Sequence, residues 1–423
     1  MNYNLNKYAA IETQTTNDYD HTVGYHDISP FNKSNDNILT IHRFPLKNTD
    51  LSNNIKAEIC LWHSQESIIE KIDETDSWSW EQGSRLQWLN CEEIIYNIKR
   101  NKKNKSCIYN INNKQKKILE NPIYSLSQKN KKFLYINYSR IRHFWKNYGY
   151  EFTDKIEFEK QPANDGVYLS DFYNNQKLVL SIEEAADLCG LKKSNQYFFI
   201  AHPTFSPHGD KFVSLLRFLN ESGILISYFI CTDLNKNTHT LLAREKVSHF
   251  EWIDNDTIVV WCRNLSPKYE KIRFNKYLEK YVVSSIKKII KLLKPSIQQK
   301  IISTHYHIIK LNNPYKLIKL DDNNLTEDGH PQISKNGKFL ITDTYANKIG
   351  YQKLLLYDLI KNKTHIVGEF KVSNYLKNKN LKYDLHPRWN HNSNKISIDS
   401  SHNGSRQSYI IDIQELINIR IKK

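Results

Sequence analysis

The dominant pattern along the chain is a recurring unit. A start residue is followed three positions later by an apolar anchor. A polar Ser/Asn/Gly turn comes next, and then a run of β-branched and aromatic residues. The clearest copies are HPTFSPHGDKFVSLL from His202, HPQISKNGKFLITDT from His330 and HPRWNHNSNKISIDS from His386. Two short apolar runs joined by such a turn predict a β-hairpin. Fainter copies begin at Tyr25 (YHDISPFNKSNDNILTI), Ser84 (SRLQWLNCEEIIYNI), Pro122 (PIYSLSQKNKKFLYINY) and His249 (HFEWIDNDTIVVWC). The seven anchors are Ile28, Trp88, Leu126, Phe205, Trp252, Ile333 and Trp389. Each is followed by a second β-rich run, among them EICLWHS from Glu58, SYFICTDL from Ser227 and SYIIDI from Ser408.

Strict alternation of anchors and partner runs predicts seven units of about four strands. Such a unit cannot bury both of its faces alone. Stacking the units radially buries them all and leaves only short edges. The expected fold is therefore all-β, a seven-bladed β-propeller with short helical insertions, occupying residues 1–423 as one domain. The chain ends soon after SYIIDI, so the last blade lacks an outer strand, and YAAIETQT from Tyr8 is expected to supply it. The anchors lie roughly 60 residues apart, against ~40–50 in compact propeller repeats. Part of the excess is SIEEAADLCGL from Ser181, with a Ser cap, acidic first turn and Gly190 stop, which predicts a short helix. The rest is residues 275–302, where Ile and Leu recur at helical spacing with Lys opposite and Pro295 as a break. This basic amphipathic insertion suits packing on its own domain or an acidic partner.

Composition narrows the classes. Hydrophobic residues are 39% and charged residues 25% of 423, a globular balance. No apolar run approaches the ~18 residues of a membrane span, and the N-terminus lacks the apolar core of a secretory signal, so a cytoplasmic location is expected. None of the six cysteines forms a CxxC pair, which leaves zinc ribbons and thioredoxin-like sites unsupported and favours reduced, mostly buried thiols. The net charge of +16 suits an anionic partner, although the abundance of Lys, Asn, Ile and Tyr explains it equally as compositional bias. The densest cluster, RNKKNK from Arg100, reads as a hairpin tip. No nucleic-acid motif accompanies it. GxSxG, P-loop and HExxH motifs are absent.

The start positions carry the candidate chemistry. They are Tyr25, Arg85, Ile123, His202, His249, His330 and His386. Four histidines at one repeat position exceed what 16 His in 423 residues provide by chance. In a propeller this position opens the innermost strand, so the imidazoles are expected to face one mouth of the channel. They suit a metal or a shared ligand there, or else cap the neighbouring blade. The segment WSWEQGSRLQW places Trp78, Trp80, Gln82 and Arg85 together. Indoles stack on sugars and a guanidinium grips a carboxylate, but indoles equally pack between blades. In the last blade DSSHNGSRQ offers His402, Arg406 and Gln407, and Tyr345 stands in the matching place one blade earlier.

The segments HPTFSPHGDKF, HPQISKNGKFLITDTY and DLHPRWNHNSNKISIDSSHNGSRQSYIID resemble the TolB-like propeller repeat. The long, His-started blades look most like the oligogalacturonate lyase group of seven-bladed propellers. The resemblance runs from about Tyr25 to Ile413. It implies β-elimination on an acidic, uronate-containing oligosaccharide, assisted by a divalent metal, typically manganese. On the repeat-start reading, His202, His249 and Arg85 are then the residues expected to carry catalysis. Trp78, Trp80, Gln82, Tyr345, Arg406 and Gln407 would hold substrate, and His330, His386 and His402 the metal. The competing expectation is a non-catalytic propeller that binds glycan or protein.

Overall fold

The computed structural model describes residues 2–422 except 50–54, 128, 152–156, 193, 264–303, 321–322 and 380. The predicted helical insertion 275–302 lies outside the described residues.

Seven antiparallel sheets form a ring. Blade 1 comprises Asp20–Thr22, Ile38–Phe44, Ala57–His63 and Ile68–Thr75; blade 2, Gln87–Trp88, Glu93–Arg100, Lys103–Asn110 and Lys116–Leu119. Blade 3 comprises Ser125–Ser127, Lys132–Tyr135, Gly166–Asp171 and Gln176–Ser181; blade 4, Phe199–Phe205, Lys211–Leu219, Leu225–Asp233 and Thr238–Glu245. Blade 5 comprises Val247–Asp254, Thr257–Arg263, Thr304–Lys310 and Asn313–Lys319. Blade 6 is built from Gln332–Ile333, Phe339–Asp343, Tyr351–Asp358 and Lys363–Lys371, and blade 7 from Arg388–Trp389, Lys395–Ser400 and Gln407–Asp412. Six of the seven anchors lie in innermost strands, and the partner runs form the third strand of each blade. Ile28 sits instead in the irregular stretch after Asp20–Thr22, where an isolated bridge joins Phe31 to Leu39.

Burial follows position in the blade. The third strand Ala57–His63 is buried at nearly every residue, because both of its faces meet other blades. The outer strand Ile68–Thr75 is mostly exposed or half-buried. Interblade cores repeat around the ring. Ile59 and Leu61 of blade 1 meet Trp88, Ile94 and Tyr96 of blade 2, and Leu354 and Leu356 of blade 6 meet Trp389, Ile396 and Ile398 of blade 7.

The ring closes through the N-terminus. Ala10–Gln14 pairs with Gln407–Asp412 as the fourth strand of blade 7, with Ala10 opposite Asp412 and Gln14 opposite Tyr409. Tyr3–Leu5 adds a fifth strand to blade 6, with Tyr3 opposite Phe370. The first residues therefore tie two blades, one more than the sequence pattern suggests.

Helix α1 (Tyr138–Phe144) starts an insertion between the second and third strands of blade 3. Helix α2 (Ile182–Leu188) has the predicted Ser181 cap, closed as a capping box with Glu184. Helix α3 (Asn374–Asn378) follows blade 6, and α4 (Gln414–Lys422) follows blade 7. At the RNKKNK tip, Asn101 and Lys102 adopt φ of 50° and 62°, as a two-residue hairpin turn of this twist requires.

Candidate functional site

The repeat starts reach the axis by breaking strand register. In blade 4 the pairing shifts between Ala201 and Thr204, and in blade 5 between Val247 and Phe250. His202 and His249 occupy these bulges, which re-aim a side chain out of the pleat. His202, His386 and Arg85 also adopt positive φ, at 54°, 43° and 58°. Each costs about 1–3 kcal/mol of backbone strain that the surrounding blade must hold.

The four histidines converge. The ring centroids of His330 lie 4.2 Å from His386 and 4.3 Å from His249. His26 lies 5.2 Å from His330, and Tyr25 lies 5.1 Å from both His202 and His386. Asp384 completes a donor triad: ligand atoms of His330, Asp384 and His386 lie within 4.8 Å of one another.

Hydrogen bonds fix which nitrogen each ring presents. Asp343, fully buried, accepts from the His330 N–H (2.8 Å), from His330 Nδ1 (2.9 Å) and from the His386 N–H (3.0 Å). His386 Nδ1 donates to the Gly24 carbonyl at 3.1 Å, and its Nε2 is buried without a partner. His249 Nδ1 donates to Asp328 at 3.0 Å, and Ser248 holds the other carboxylate oxygen. Arg217 Nη1 donates to His202 Nε2 at 3.3 Å, so the His202 proton sits on Nδ1 and is given to the Tyr124 hydroxyl at 2.9 Å.

These contacts set the charges. Burial lowers the pKa of His26, His202 and His386 well below the histidine norm, and neighbouring His or Arg charges lower it further. His249 is also lowered by burial, with Asp328 opposing. His330 is the exception. Burial opposes its charge, but Asp343, Asp384 and Asp328 together hold its pKa above the usual value. Burial raises Asp384 to about 6 and Glu81 to about 8. Neutral His386, His330 once its proton has left, and the Asp384 carboxylate form a mixed N/O donor set that suits Mn²⁺, Zn²⁺ or Fe²⁺. The Asp343–His330 contact is the outer carboxylate that commonly orients a ligating histidine.

Of the residues singled out in the sequence, the structure gathers His202, His249, His330, His386, Gln82 and Tyr345. Gln82 bonds the Tyr124 hydroxyl at 2.7 Å, and Tyr345 stands 5.8 Å from the His330 ring under the Lys382 cation. Arg85 is buried at 1% exposure and gripped by Asp27 through two bonds of 2.9 and 2.8 Å. Its remaining donors go to the Tyr124 carbonyl, so it positions Tyr124 instead of meeting a ligand.

Five expected residues lie elsewhere. His402 packs against Tyr3, Phe370 and Tyr409 at the seam of blades 6 and 7, with Nδ1 on Ser400. Asp384 takes the place expected for His402 in the donor set. Arg406 is held by Asp20 and covers Trp80 at 4.2 Å, and Trp80 bonds the Lys382 carbonyl. Trp78 bonds the Ile55 carbonyl and packs on Phe44. Gln407 ties Thr15, His21 and Tyr19 at the ring closure. All five are buried, and their contacts are to neighbouring protein groups. These residues hold blades together.

Sequence reasoning passed over His26, Arg217, Asp384 and the aromatic pair Trp145 and Tyr148. Asp384 had a signal in Asp-Leu-His-Pro, and Arg217 in being the lone charge within the apolar run FVSLLRFL. The aromatic pair had none, because only the fold carries the blade 3 insertion over the axis. Trp145 stacks on Tyr148 at 3.5 Å, and the two rings lie 5.9 and 5.6 Å from His202. Arg217 lies 4.6 Å over the Trp145 ring. At the other end of the axis a cavity of about 430 Å³ opens among the anchors, lined by Asp27, Arg85 and Trp252. A void of about 10 Å³ beside Asp27 and Thr204 separates it from His202 and His249, room for about one water.

No protein-family profile matches the sequence, and no curated protein does. Solved structures do. An oligogalacturonate lyase in complex with manganese aligns over 97% of this chain and 96% of its own, with 10% identity and a TM-score of 0.59. An oligogalacturonate lyase from Vibrio parahaemolyticus aligns over 96% of both chains, with 10% identity and a TM-score of 0.56. TolB from Acinetobacter baumannii aligns over 90% of this chain and 82% of its own, with 12% identity and a TM-score of 0.39. At such identity the likeness is one of architecture: the chain is a seven-bladed β-propeller with the fold of the oligogalacturonate lyases.

Proposed function

We propose that this propeller is a divalent-metal-dependent lyase that cleaves an acidic, uronate-containing oligosaccharide by β-elimination. The observation that carries the reading is the convergence of His330, Asp384 and His386 beside Arg217 and His249. The metal fits the residues. His386 Nε2 is a buried donor atom with no protein partner, which costs free energy unless something binds it. His330 and His386 would hold the metal through Nε2, and Asp384 through a carboxylate oxygen. When bound, a divalent cation stabilises negative charge developing on the uronate carboxylate as the proton leaves C5.

The chain supplies the rest. Arg217, desolvated beside Trp145, offers a guanidinium to a carboxylate. Asp328 holds His249 with its Nε2 lone pair presented to the axis, the arrangement of a general base. Tyr345, with Lys382 above it, stands where a hydroxyl can meet the leaving oxygen. Arg85, pinned by Asp27, fixes Tyr124 and through it His202.

Metal analysis of protein purified without chelator, followed by an ultraviolet assay for unsaturated uronate on galacturonate oligosaccharides with added manganese, tests the reading. Activity lost in His386→Ala and Arg217→Ala supports it. No metal and no absorbance gain on any uronate would remove it. One observation favours a second reading, a glycan- or protein-binding propeller with a structural metal: the three donors are only 2–5% exposed. A bound metal without turnover would support that reading.

A further inference from the structure

A cavity of about 670 Å³ lies away from the histidine cluster, in a groove between blades 2 and 3. We propose that this groove is a second, independent site that binds an oligosaccharide through ring stacking and hydroxyl contacts, without chemistry.

Topology places it on the same face as the histidines. Innermost strands run away from that face, and antiparallel hairpins alternate faces, so each connection between second and third strands returns to it. The RNKKNK tip in blade 2 and the α1 insertion in blade 3 are both such connections. The insertion separates the two sites. Its Trp145 and Tyr148 lie against His202, while its first residues, Asn137 to Arg140, line the groove.

One wall is an aromatic platform. Tyr135 and Tyr168 are directly opposed across neighbouring strands of blade 3. Their rings stack at 4.8 Å and 12°. Both are half-buried, and both hydroxyls are anchored, Tyr135 to Gln176 and Tyr168 to the Asn164 carbonyl. Rings fixed in this way are ready to pack a pyranose face without losing further side-chain entropy. Asn121, Asn164 and Gln176 bring amides to the groove. Its floor is rigid: Asn137 caps α1 and donates to Asp165 at 3.1 Å, and Arg140 is spent on the carbonyls of Phe198 and Glu159. A concave, partly aromatic cleft of this volume with planar amides suits a sugar.

The charges argue against a site driven by uronate. Glu120, Glu157, Glu159 and Asp165 line the groove, against Lys102 and Lys103 from the hairpin tip and Arg140, whose donors go to the Phe198 and Glu159 carbonyls. Recognition therefore rests on ring faces and hydroxyls, and neutral and acidic chains are both accepted.

The test is calorimetric titration of the full chain with a neutral gluco-oligosaccharide and with a galacturonate oligosaccharide of equal length, at low and high salt. Both are expected to bind with little salt dependence. Tyr135→Ala and Tyr168→Ala are each expected to weaken binding about three- to tenfold. Gln176 is exposed, so Gln176→Ala keeps the fold and weakens binding should the tyrosine variants fail to fold. His386→Ala leaves binding of the neutral sugar unchanged, which separates this site from the proposed metal centre. Three results would each overturn the inference: no binding of either sugar at millimolar concentration, binding that none of these groove variants moves, or binding only of the uronate chain that high salt abolishes.

Discussion

Asp343→Asn probes the centre of the candidate site with the smallest change of shape. The wild-type carboxylate has no exposure and accepts three hydrogen bonds, two of them at 2.8 and 2.9 Å from the N–H and ring of His330 and one at 3.0 Å from the N–H of His386. An asparagine keeps one oxygen. If that oxygen faces His330, the new NH₂ points at the His386 N–H, and a buried donor loses its acceptor at about 1–3 kcal/mol. Loss of the charge adds to this, since breaking a buried ion pair typically costs about 3–5 kcal/mol in all. The carboxylate also lifts the His330 pKa. Without it, burial dominates and the ring turns neutral and free to rotate. Removing such an orienting carboxylate is expected to weaken Mn²⁺ binding about 10- to 100-fold. Calorimetric titration of metal-free wild type, Asp343→Asn and His386→Ala measures this, with thermal unfolding run alongside. If Asp343→Asn binds manganese as tightly as wild type while His386→Ala does not, the orienting role is refuted.

Other outcomes follow from the same geometry. Metal affinity should fall as pH drops through the raised pKa of His330, because the proton and the metal compete for that ring. Proton release measured in two buffers of different ionisation enthalpy checks this, and pH-independent binding would exclude His330 as a ligand. Deleting residues 1–14 removes the outer strand of blade 7 and the fifth strand of blade 6. The melting temperature should drop, by about 1 °C for each kcal/mol lost in a chain of this length, and an unchanged value would mean the seam does not hold the ring. Arg217→Lys keeps the charge but loses the planar fork, so uronate affinity should weaken more than tenfold with metal content unchanged. Equal affinity would place the carboxylate elsewhere. Trp145→Ala should speed the exchange of bound manganese if metal enters past His202, against which Trp145 packs, as stopped-flow with a chelator would read. An unchanged rate would show that this mouth is not the route.

The ring was legible because its causes are local and repeated. Anchor, turn and a third-strand run buried on both faces recur along the chain, and a repeat that cannot bury itself must stack. The register that sends His202, His249, His330 and His386 to one end of each innermost strand is likewise a property of the sequence. What those side chains meet there is not. Whether an arginine faces a ligand or a carboxylate depends on contacts between blades distant in sequence. Arg85 and Arg406 look alike in the chain, each following a Gly-Ser pair, yet Asp27 and Asp20 neutralise them, whereas Arg217 reaches His202. His402 has the spacing of a ligand but lies outside the axis, under Tyr3 of the N-terminal strand. Asp384 becomes a donor because blade 6 closes on blade 7, and Trp145 meets His202 because an insertion in blade 3 folds back toward it. Local pattern determined the strands, their repeat and the inward histidines. Long-range packing alone decided which charges are cancelled by burial and which are left to act.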